Sequence, residues 1–284
     1  MKTRSRSFFV ICLACGLFLS GVAAAEDDSR FSLELELGPT WQSRNTVQIP
    51  NTDAGTRFSL QELVGSGPWF AGRITFTWNI KPRHSLRLVA APLSYTESGI
   101  FDEMVDFAGA TYEGGIPTEA TYQFNSWRLG YRWRFKDGER WTMWLGFSAK
   151  VRDAKIALSQ GDTSSEDTDV GFVPLLSFAA DYRFADRWRL IFDFEGLAGG
   201  PGRALDVALK VGYDFNEKWG LTAGYRTVEG GADIEEVYNF AWFQYAVVSG
   251  VFIEAFRFFK GVSPDGSPPS ASDPCVLPPQ TELP

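Results

Sequence analysis

Three observations predict an all-β fold, an antiparallel up-and-down transmembrane β-barrel of about ten strands. Polar and apolar residues alternate over long stretches, short and long connections alternate between these stretches, and aromatic residues gather near the short connections. No apolar run after the first 25 residues is long enough for a spanning helix, and the mean hydropathy is −0.13. Strands in which polar and apolar residues alternate give a mean hydropathy of this size. Eight or twelve strands are the alternatives to ten.

Residues 1–25 are organised like a secretory signal peptide. Three basic residues precede an apolar core of about a dozen residues at 8–19, and small residues at 23–25 form a cleavage site. An uncleaved anchor is one alternative, but this core is shorter than the ~20 residues that a spanning helix needs. Lipid attachment at Cys15 is another, although it would leave a hydrophobic new N-terminus. We therefore predict export and cleavage after Ala25.

The charge of the mature chain excludes some functions. Cleavage removes three cations and two of the three cysteines, so the formal charge changes from −8 to −11 and only Cys275 is left. A single cysteine forms no internal disulfide and no paired-cysteine zinc site. An acidic chain is a poor partner for nucleic acid, because phosphate binding requires a basic face. We expect no nucleic-acid partner, no metal and no cofactor.

Alternation with a period of two is clearest between residues 126 and 135. Every second residue there is Trp, Leu, Tyr or Phe, and the residues between them are Ser, Gly or Arg. A helix would scatter these two classes over all its sides, so the pattern predicts a strand. Ten such strands are predicted, at residues 31–41, 68–80, 84–96, 119–135, 140–158, 170–184, 187–197, 203–215, 218–228 and 237–258.

The predicted connections alternate strictly between short and long. Tight turns are expected at 81–83, 136–139, 185–186 and 216–217, and longer polar or glycine-rich links at 42–67, 97–118, 159–169, 198–202 and 229–236. This asymmetry is typical of a membrane barrel with short periplasmic turns and longer extracellular loops. An even number of strands places both chain ends in the periplasm.

Aromatic residues near the short turns lie on the apolar faces of the strands. They predict a belt at the headgroup level of the inner leaflet. A soluble β-sandwich or a lipocalin-like barrel is the alternative, but the interior of ten strands could hardly hold so many rings. The residues of this belt are Trp78, Trp133, Phe135, Trp141, Tyr182, Phe184, Trp188, Tyr213, Phe215 and Trp219.

Over about residues 31–259 the chain resembles the bacterial outer-membrane β-barrel proteins, in architecture rather than in any signature motif. Residues 252–258 look like the aromatic-ended terminal strand of that class, although a tail follows here where the class usually stops. The resemblance implies an outer-membrane location, contact with lipid and lipopolysaccharide, and the barrel assembly machinery as a partner. The domains are then the signal peptide, a barrel at 26–259 and a Pro- and Ser-rich disordered tail at 260–284.

If the aromatic face meets lipid, the polar face lines the lumen and carries charges of both signs. The interpretation we prefer is a salt-bridged plug, because a barrel of eight to ten strands is just wide enough for long side chains to fill. A narrow charge-selective pore is the alternative. The predicted lumen-lining charges are Glu34, Glu36, Arg73, Arg87, Arg128, Arg132, Arg134, Lys150, Arg152, Asp181, Arg183, Arg189, Asp193, Glu195, Asp206, Lys210 and Arg226.

The loops give weaker signals. Phe58, Leu60 and Leu63 in the first long link either cap the barrel mouth or continue a strand above the membrane. Acidic residues near 162–169 and 233–236 are expected to form a solvated rim, and their spacing matches no calcium loop.

Catalysis is not predicted. The single histidine, His84, falls at the first periplasmic turn, away from surface substrates, and Asp193 with Glu195 is expected to join a salt-bridge network. The function expected first is a structural or surface-interaction role, the second is a passive channel for small solutes, and a surface hydrolase comes third.

Overall fold

The computed structural model describes residues 31–200 and 202–253. The predicted signal peptide, the tail with Cys275 and the predicted strand end at 254–258 lie outside the described residues, so these expectations stay predictions. Within the described residues, no helix is long and apolar enough to cross a membrane.

The described chain forms fourteen strands and one short helix. They are β1 (Phe31–Gln48), β2 (Phe58–Ser59), α1 (Leu60–Val64), β3 (Trp69–Lys81), β4 (His84–Ala91), β5 (Ser94–Ile100), β6 (Val105–Phe107), β7 (Ala110–Tyr112), β8 (Pro117–Asp137), β9 (Trp141–Gln160), β10 (Thr163–Ala185), β11 (Trp188–Gly199), β12 (Gly202–Asp214), β13 (Trp219–Asp233) and β14 (Tyr238–Ile253).

Ten strand positions close into an antiparallel barrel. Each strand pairs with its predecessor and successor around the sheet, and β14 pairs with β1 to complete the circle. The strands β4 and β5 together occupy one position, interrupted at Pro92, and both pair with β8. Proline cannot donate to the backbone ladder, which accounts for a break at this point. The predicted ten-stranded up-and-down barrel is confirmed.

Three of the predicted long links were wrong. Most residues of the links predicted at 159–169, 198–202 and 229–236 belong to strands. In the first of them, β9 and β10 pair as far as Gln160 with Thr163, and in the second, Gly199 pairs with Gly202. Only 49–68 and 101–116 are long connections. We call the barrel end that carries these two connections the upper end, and the end with turns at 82–83, 138–140, 186–187 and 215–218 the lower end.

The lower part of the barrel is apolar outside and polar inside. Phe70 and Phe172 on the outer face are 71% and 69% exposed, whereas a soluble barrel would bury such side chains. The soluble alternatives are therefore wrong. The rings of the predicted lower belt lie on the outer face, in pairs such as Trp141 with Tyr182. From Trp141 to Val151 the apolar band of β9 rises about 25 Å at ~3.3 Å per residue and ~40° tilt, which matches a membrane barrel.

Above this band the polarity of the two faces is exchanged. Gln123 and Asn125 on the outer face of β8 both donate to a carboxylate oxygen of Asp153 on β9, at 3.0 Å each. On the inner face, Tyr122 and Leu158 are almost fully buried in an apolar core. We call this region the upper barrel and the region within the apolar band the lower barrel.

Candidate functional site

Alternation along each strand delivers long charged side chains to the interior of the lower barrel, because every second residue faces inward. Eleven of these side chains form one connected ion-pair network, and we call it the lumen network. Its members are Glu34, Glu36, Arg73, Arg87, Arg128, Arg132, Asp193, Glu195, Asp206, Lys210 and Arg226. All eleven are among the predicted lumen residues.

Asp206 on β12 is the centre of the lumen network. Its two carboxylate oxygens accept from Arg73 and Arg128 at 2.7 Å and from Arg226 at 2.5 Å. Strand β8, which carries Arg128, lies four positions from β12 around the ten-stranded barrel. The Arg128–Asp206 ion pair therefore crosses the lumen rather than following the wall.

A second centre lies on β11. Arg128 donates to Glu195 at 2.6 Å, and Arg132 donates to Asp193 at 2.6 Å. Arg87 on β4 adds contacts of 3.3 Å to Glu195 and 3.5 Å to Asp193. Since β4 also lies four positions from β11, these contacts span the lumen in a second direction. The sequence hypothesis that placed the two carboxylates in a salt-bridge network agrees with this geometry.

A third centre joins β1 to β12 and β13. Glu36 accepts from Arg226 at 2.7 Å and 3.0 Å, and from Lys210 at 3.2 Å. Lys210 also donates to Glu34. Each of these carboxylates is held by cations from other strands, so charge compensation inside the barrel depends on its closure.

Other predicted lumen charges lie outside the lumen network. Arg134 contacts Asp137 and the carbonyl of Pro82 near the lower end, and Arg152 pairs with Asp169 at the top of the band. The sequence analysis did not predict Asp137 as a partner and placed Asp169 in a solvated acidic rim, because strand alternation does not identify the partner of a charge.

The lower mouth has its own cluster. Arg189 donates to Asp181 at 2.7 Å and to Asp214 at 3.1 Å, so Asp214 is a further partner that the sequence analysis missed. Arg183 has no side-chain ion pair among the described residues. Lys150 lies beside Arg128 on the inner face but pairs with no carboxylate in the described part of the chain.

Two folded connections fill the lumen of the upper barrel. The first contains β2, which pairs with β1, and α1, whose Leu60 is fully buried. The second contains the β6–β7 hairpin, whose Phe107 and Tyr112 are fully buried. Residues 57–64 therefore both extend a strand and cap the mouth, the two possibilities that the sequence left open. We call this apolar filling the upper plug.

Hydrogen bonds fix the upper plug to the barrel wall. The Tyr112 hydroxyl donates to the carbonyl of Leu158 at 3.0 Å and contacts the Ser165 hydroxyl at 2.8 Å. The Gln160 amide donates to the carbonyl of Glu113 at 2.9 Å. Burial raises the pKa of Tyr122 well above its usual range, so this phenol stays uncharged inside the plug.

Little space separates the two fillings. A cavity of about 30 Å³ lies between them, with Arg73, Arg128 and Arg226 on its lower side and Leu93 and Phe124 on its upper side. This volume has room for about two waters, since one water needs ~10–15 Å³. The lumen thus contains ion-paired charges below and apolar side chains above.

The single histidine of the sequence, His84, begins strand β4. Its Nδ1 lies 2.6 Å from the Tyr131 hydroxyl, at the lower end of the barrel and near the first short turn, as the sequence predicted. Among the described residues, no group of three or more His, Cys, Asp or Glu side chains could hold a metal ion.

Neither a protein-family model nor a curated protein matches this sequence. Solved structures do match. The outer membrane protease OmpT from Escherichia coli is 9% identical with a TM-score of 0.50, over 81% of this chain and 98% of that chain. Neisserial surface protein A is 14% identical (TM-score 0.34; 79% and 96% covered), and the attachment invasion locus protein Ail of Yersinia pestis is 8% identical (TM-score 0.37; 78% and 99%).

At such identities the likeness concerns the fold and not an activity. Together with the closed ten-stranded barrel and its apolar outer band, it shows that the chain has the fold of a bacterial outer-membrane β-barrel.

Proposed function

We propose that this protein is an occluded outer-membrane barrel with a structural or surface-interaction role, exported by a cleaved signal peptide. The observation that carries the proposal is that two separate groups of side chains fill the lumen. The lumen network crosses the lower barrel, and the upper plug fills the mouth above it. A solute would have to displace both.

Opening the lumen network would be costly. Asp206, Glu195 and Arg128 are each at least nine-tenths buried and each binds two or more partners of opposite charge. Separating such groups leaves buried charges uncompensated, which costs about 3–5 kcal/mol for a single broken pair. This energetic barrier supports a closed barrel over a freely conducting pore.

The upper barrel supplies the surface through which a partner would bind. Strands β8, β9 and β10 continue well above the apolar band, and their outer face is polar. Many of its groups satisfy one another, as in the Lys155–Glu166 ion pair and the Thr96–Thr121 hydroxyl contact at 2.9 Å. We propose that this rim and the lipopolysaccharide around it form the contact surface, and that the protein is not an enzyme.

A conductance measurement tests this proposal. The refolded mature protein is inserted in planar bilayers and compared with the double variant Arg128→Ala/Arg132→Ala, which removes two cations that cross the lumen. Arg134→Ala is the matched control, because the polar contacts of the Arg134 side chain within the described residues are with the lower-end groups Asp137 and Pro82. We expect a silent wild type and a silent control, and brief leaks in the double variant.

Steady ion-selective openings of the wild type would overturn the closed-barrel proposal and favour a narrow passive channel. One observation gives that second candidate its expected selectivity. The lumen network contains six cations and five carboxylates, so a pore through it would favour anions.

A further inference from the structure

A β-bulge in β1 turns an arginine toward the outside of the barrel. Thr40 and Gln42 face inward and are almost fully buried, so Arg44 would be the next inward residue of a regular strand. The register with β14 shifts between Gln42 and Arg44, and as a result Ser43 and Arg44 are both exposed while Asn45 is buried. Bulges re-aim side chains in this way and are frequent beside functional sites.

A second arginine shares one aromatic ring with the first. The guanidinium carbon of Arg44 lies 5.7 Å from the ring centroid of Phe240 on β14, and that of Arg203 on β12 lies 4.9 Å from the same centroid. The two guanidiniums are therefore at most about 11 Å apart, the sum of these distances. Contact with a ring face attracts a guanidinium without using its hydrogen-bond donors. We call Arg44 and Arg203 the outer arginine pair.

The outer arginine pair keeps an excess of positive charge. The Arg44 side chain makes no ion pair and no hydrogen bond among the described residues. Arg203 donates from its Nε and Nη2 to Glu229, and its Nη1 has no acceptor in the same part of the chain. Two cations thus share one carboxylate, on a chain whose formal charge is −8. The pair leaves charged donors free for a group outside the protein.

The outer arginine pair lies at the upper boundary of the apolar band. On the outer face of β1, Leu37 is 49% exposed, and the apolar run ends at Trp41, directly below the bulge. On β14, the outward-facing Trp242 is opposite Arg44 in register and is 43% exposed. Exposed tryptophans at the edge of an apolar band mark the headgroup level. With the long connections outside, this level belongs to the outer leaflet.

We propose that the outer arginine pair binds phosphate groups of lipopolysaccharide in the outer leaflet. A guanidinium presents a planar fork of donors that matches the oxygens of a phosphate, and the negative charge of the phosphate complements the excess cation. On β9, by contrast, Lys155 is already paired with Glu166. The site deepens the proposed function, because it fixes lipopolysaccharide against one side of the contact surface. It rests on the proposed outward orientation of the upper end but not on the closed lumen, so lipid binding and conductance can fail independently.

Native mass spectrometry tests the site. The refolded mature protein in micelles of an uncharged detergent is mixed with diphosphoryl lipid A, and the bound fraction is measured at increasing lipid concentration. In the double variant Arg44→Gln/Arg203→Gln the affinity should fall by at least about tenfold, because each lost charge-assisted hydrogen bond weakens binding by about that factor. Monophosphoryl lipid A should bind the wild type more weakly than diphosphoryl lipid A, since it offers one phosphate fewer.

Two arginines at the opposite end provide a matched control. Arg140 and Arg187 are exposed in the lower turns, so Arg140→Gln/Arg187→Gln removes the same charge and leaves the outer arginine pair intact. This control should bind diphosphoryl lipid A like the wild type. Arg44→Gln alone should also weaken binding. Because it breaks no ion pair within the described residues, it tests the site even if the double variant refolds poorly.

Three results would overturn the proposal. Equal affinities of the wild type and the Arg44→Gln variant would show that the arginines do not hold the lipid. Equal affinities of the wild type for phosphatidylglycerol and for diphosphoryl lipid A would show that the surface takes any anionic lipid. Displacement of bound lipid A by inorganic phosphate at the same concentration would assign the site to the free ion instead.

Discussion

The two halves of the lumen are filled by opposite chemistry. In the lower barrel, side chains from the wall itself meet in the lumen network, and each carboxylate binds cations from distant strands. In the upper barrel, two chain connections fold inward and fill the space with Leu60, Phe107 and Tyr112. The lower filling is polar and ion-paired, whereas the upper one is apolar like the core of a soluble protein.

The surroundings of each half explain this difference. Where the outer face meets lipid it must be apolar, so alternation leaves polar residues inside. Above the band the outer face meets water, and the same alternation then places apolar residues inside. On the outer face of β8, the apolar Trp127 is followed toward the upper end by the polar Asn125. On the inner face, the polar Ser126 is followed by the apolar Tyr122. One backbone pattern thus builds two cores whose stability has different physical origins.

The largest expected effect comes from removing the central carboxylate of the lower barrel. Asp206→Ala leaves Arg73, Arg128 and Arg226 facing one another without their shared partner. We expect the free energy of unfolding to fall by about 3–5 kcal/mol or more. Urea unfolding of the refolded protein in micelles measures the change.

Glu229→Ala is the matched control for that variant, because Glu229 pairs with Arg203 away from the lumen network. An exposed pair of this kind contributes about 0–1 kcal/mol. If Asp206→Ala cost no more than Glu229→Ala, the lower barrel would not owe its stability to ion pairing, and the comparison between the halves would fail.

A cavity in the upper plug should have a more local effect. Phe107→Ala removes a fully buried ring, and losses of about 3–5 kcal/mol are typical of such truncations. Since the plug belongs to the connections, we expect faster amide exchange in 49–68 and 101–116 and little change in the lower strands. Hydrogen-exchange mass spectrometry distinguishes the two regions.

Met104→Ala in the same connection serves as the control, because Met104 is 63% exposed and its loss should change stability by about 0.5 kcal/mol at most. Equal acceleration of exchange in upper and lower strands after Phe107→Ala would show that both halves unfold as one unit.

The smallest effect concerns one acidic side chain of the upper barrel. Burial raises the pKa of Asp167 above its ordinary value of 3.8. The folded state therefore holds this proton more tightly than the unfolded chain, and stability falls as the pH rises from below 3.8 through the higher pKa of the folded state. In the Asp167→Asn variant this fall in stability should be absent. Amide exchange in β9 and β10 should then depend less on pH than it does in the wild type. Asp162→Asn, at an exposed turn, should leave the wild-type pH dependence unchanged.

The lower barrel could be predicted from the sequence because its two faces differ sharply. The stretch around Arg128 and Arg132 alternates between charge and aromatic rings, and the structure places both arginines inside. Which carboxylate each arginine binds could not be predicted, since partners such as Arg128 and Asp206 lie 78 residues apart and meet across the lumen. That geometry exists only once the barrel has closed.

The upper barrel was harder to predict for a different reason. Residues 163–169 are all Thr, Ser, Glu or Asp, so their strand has no apolar face of its own and was assigned to a loop. These residues are strand because their backbone pairs with β9. The β6–β7 hairpin was missed as well, although Phe101, Val105 and Phe107 form an apolar group in this link.

Closure of the barrel by β1 and β14 has a kinetic consequence. The Thr40 hydroxyl donates to the carbonyl of Gln244, 204 residues away, and the whole β1–β14 ladder joins similarly distant parts of the chain. Contacts of such high sequence separation carry a large loop-closure entropy and slow the folding of a chain. We expect the hairpins from β8 to β13 to form early and the β1–β14 seam to form last, so an incompletely assembled barrel exposes the edges of these two strands.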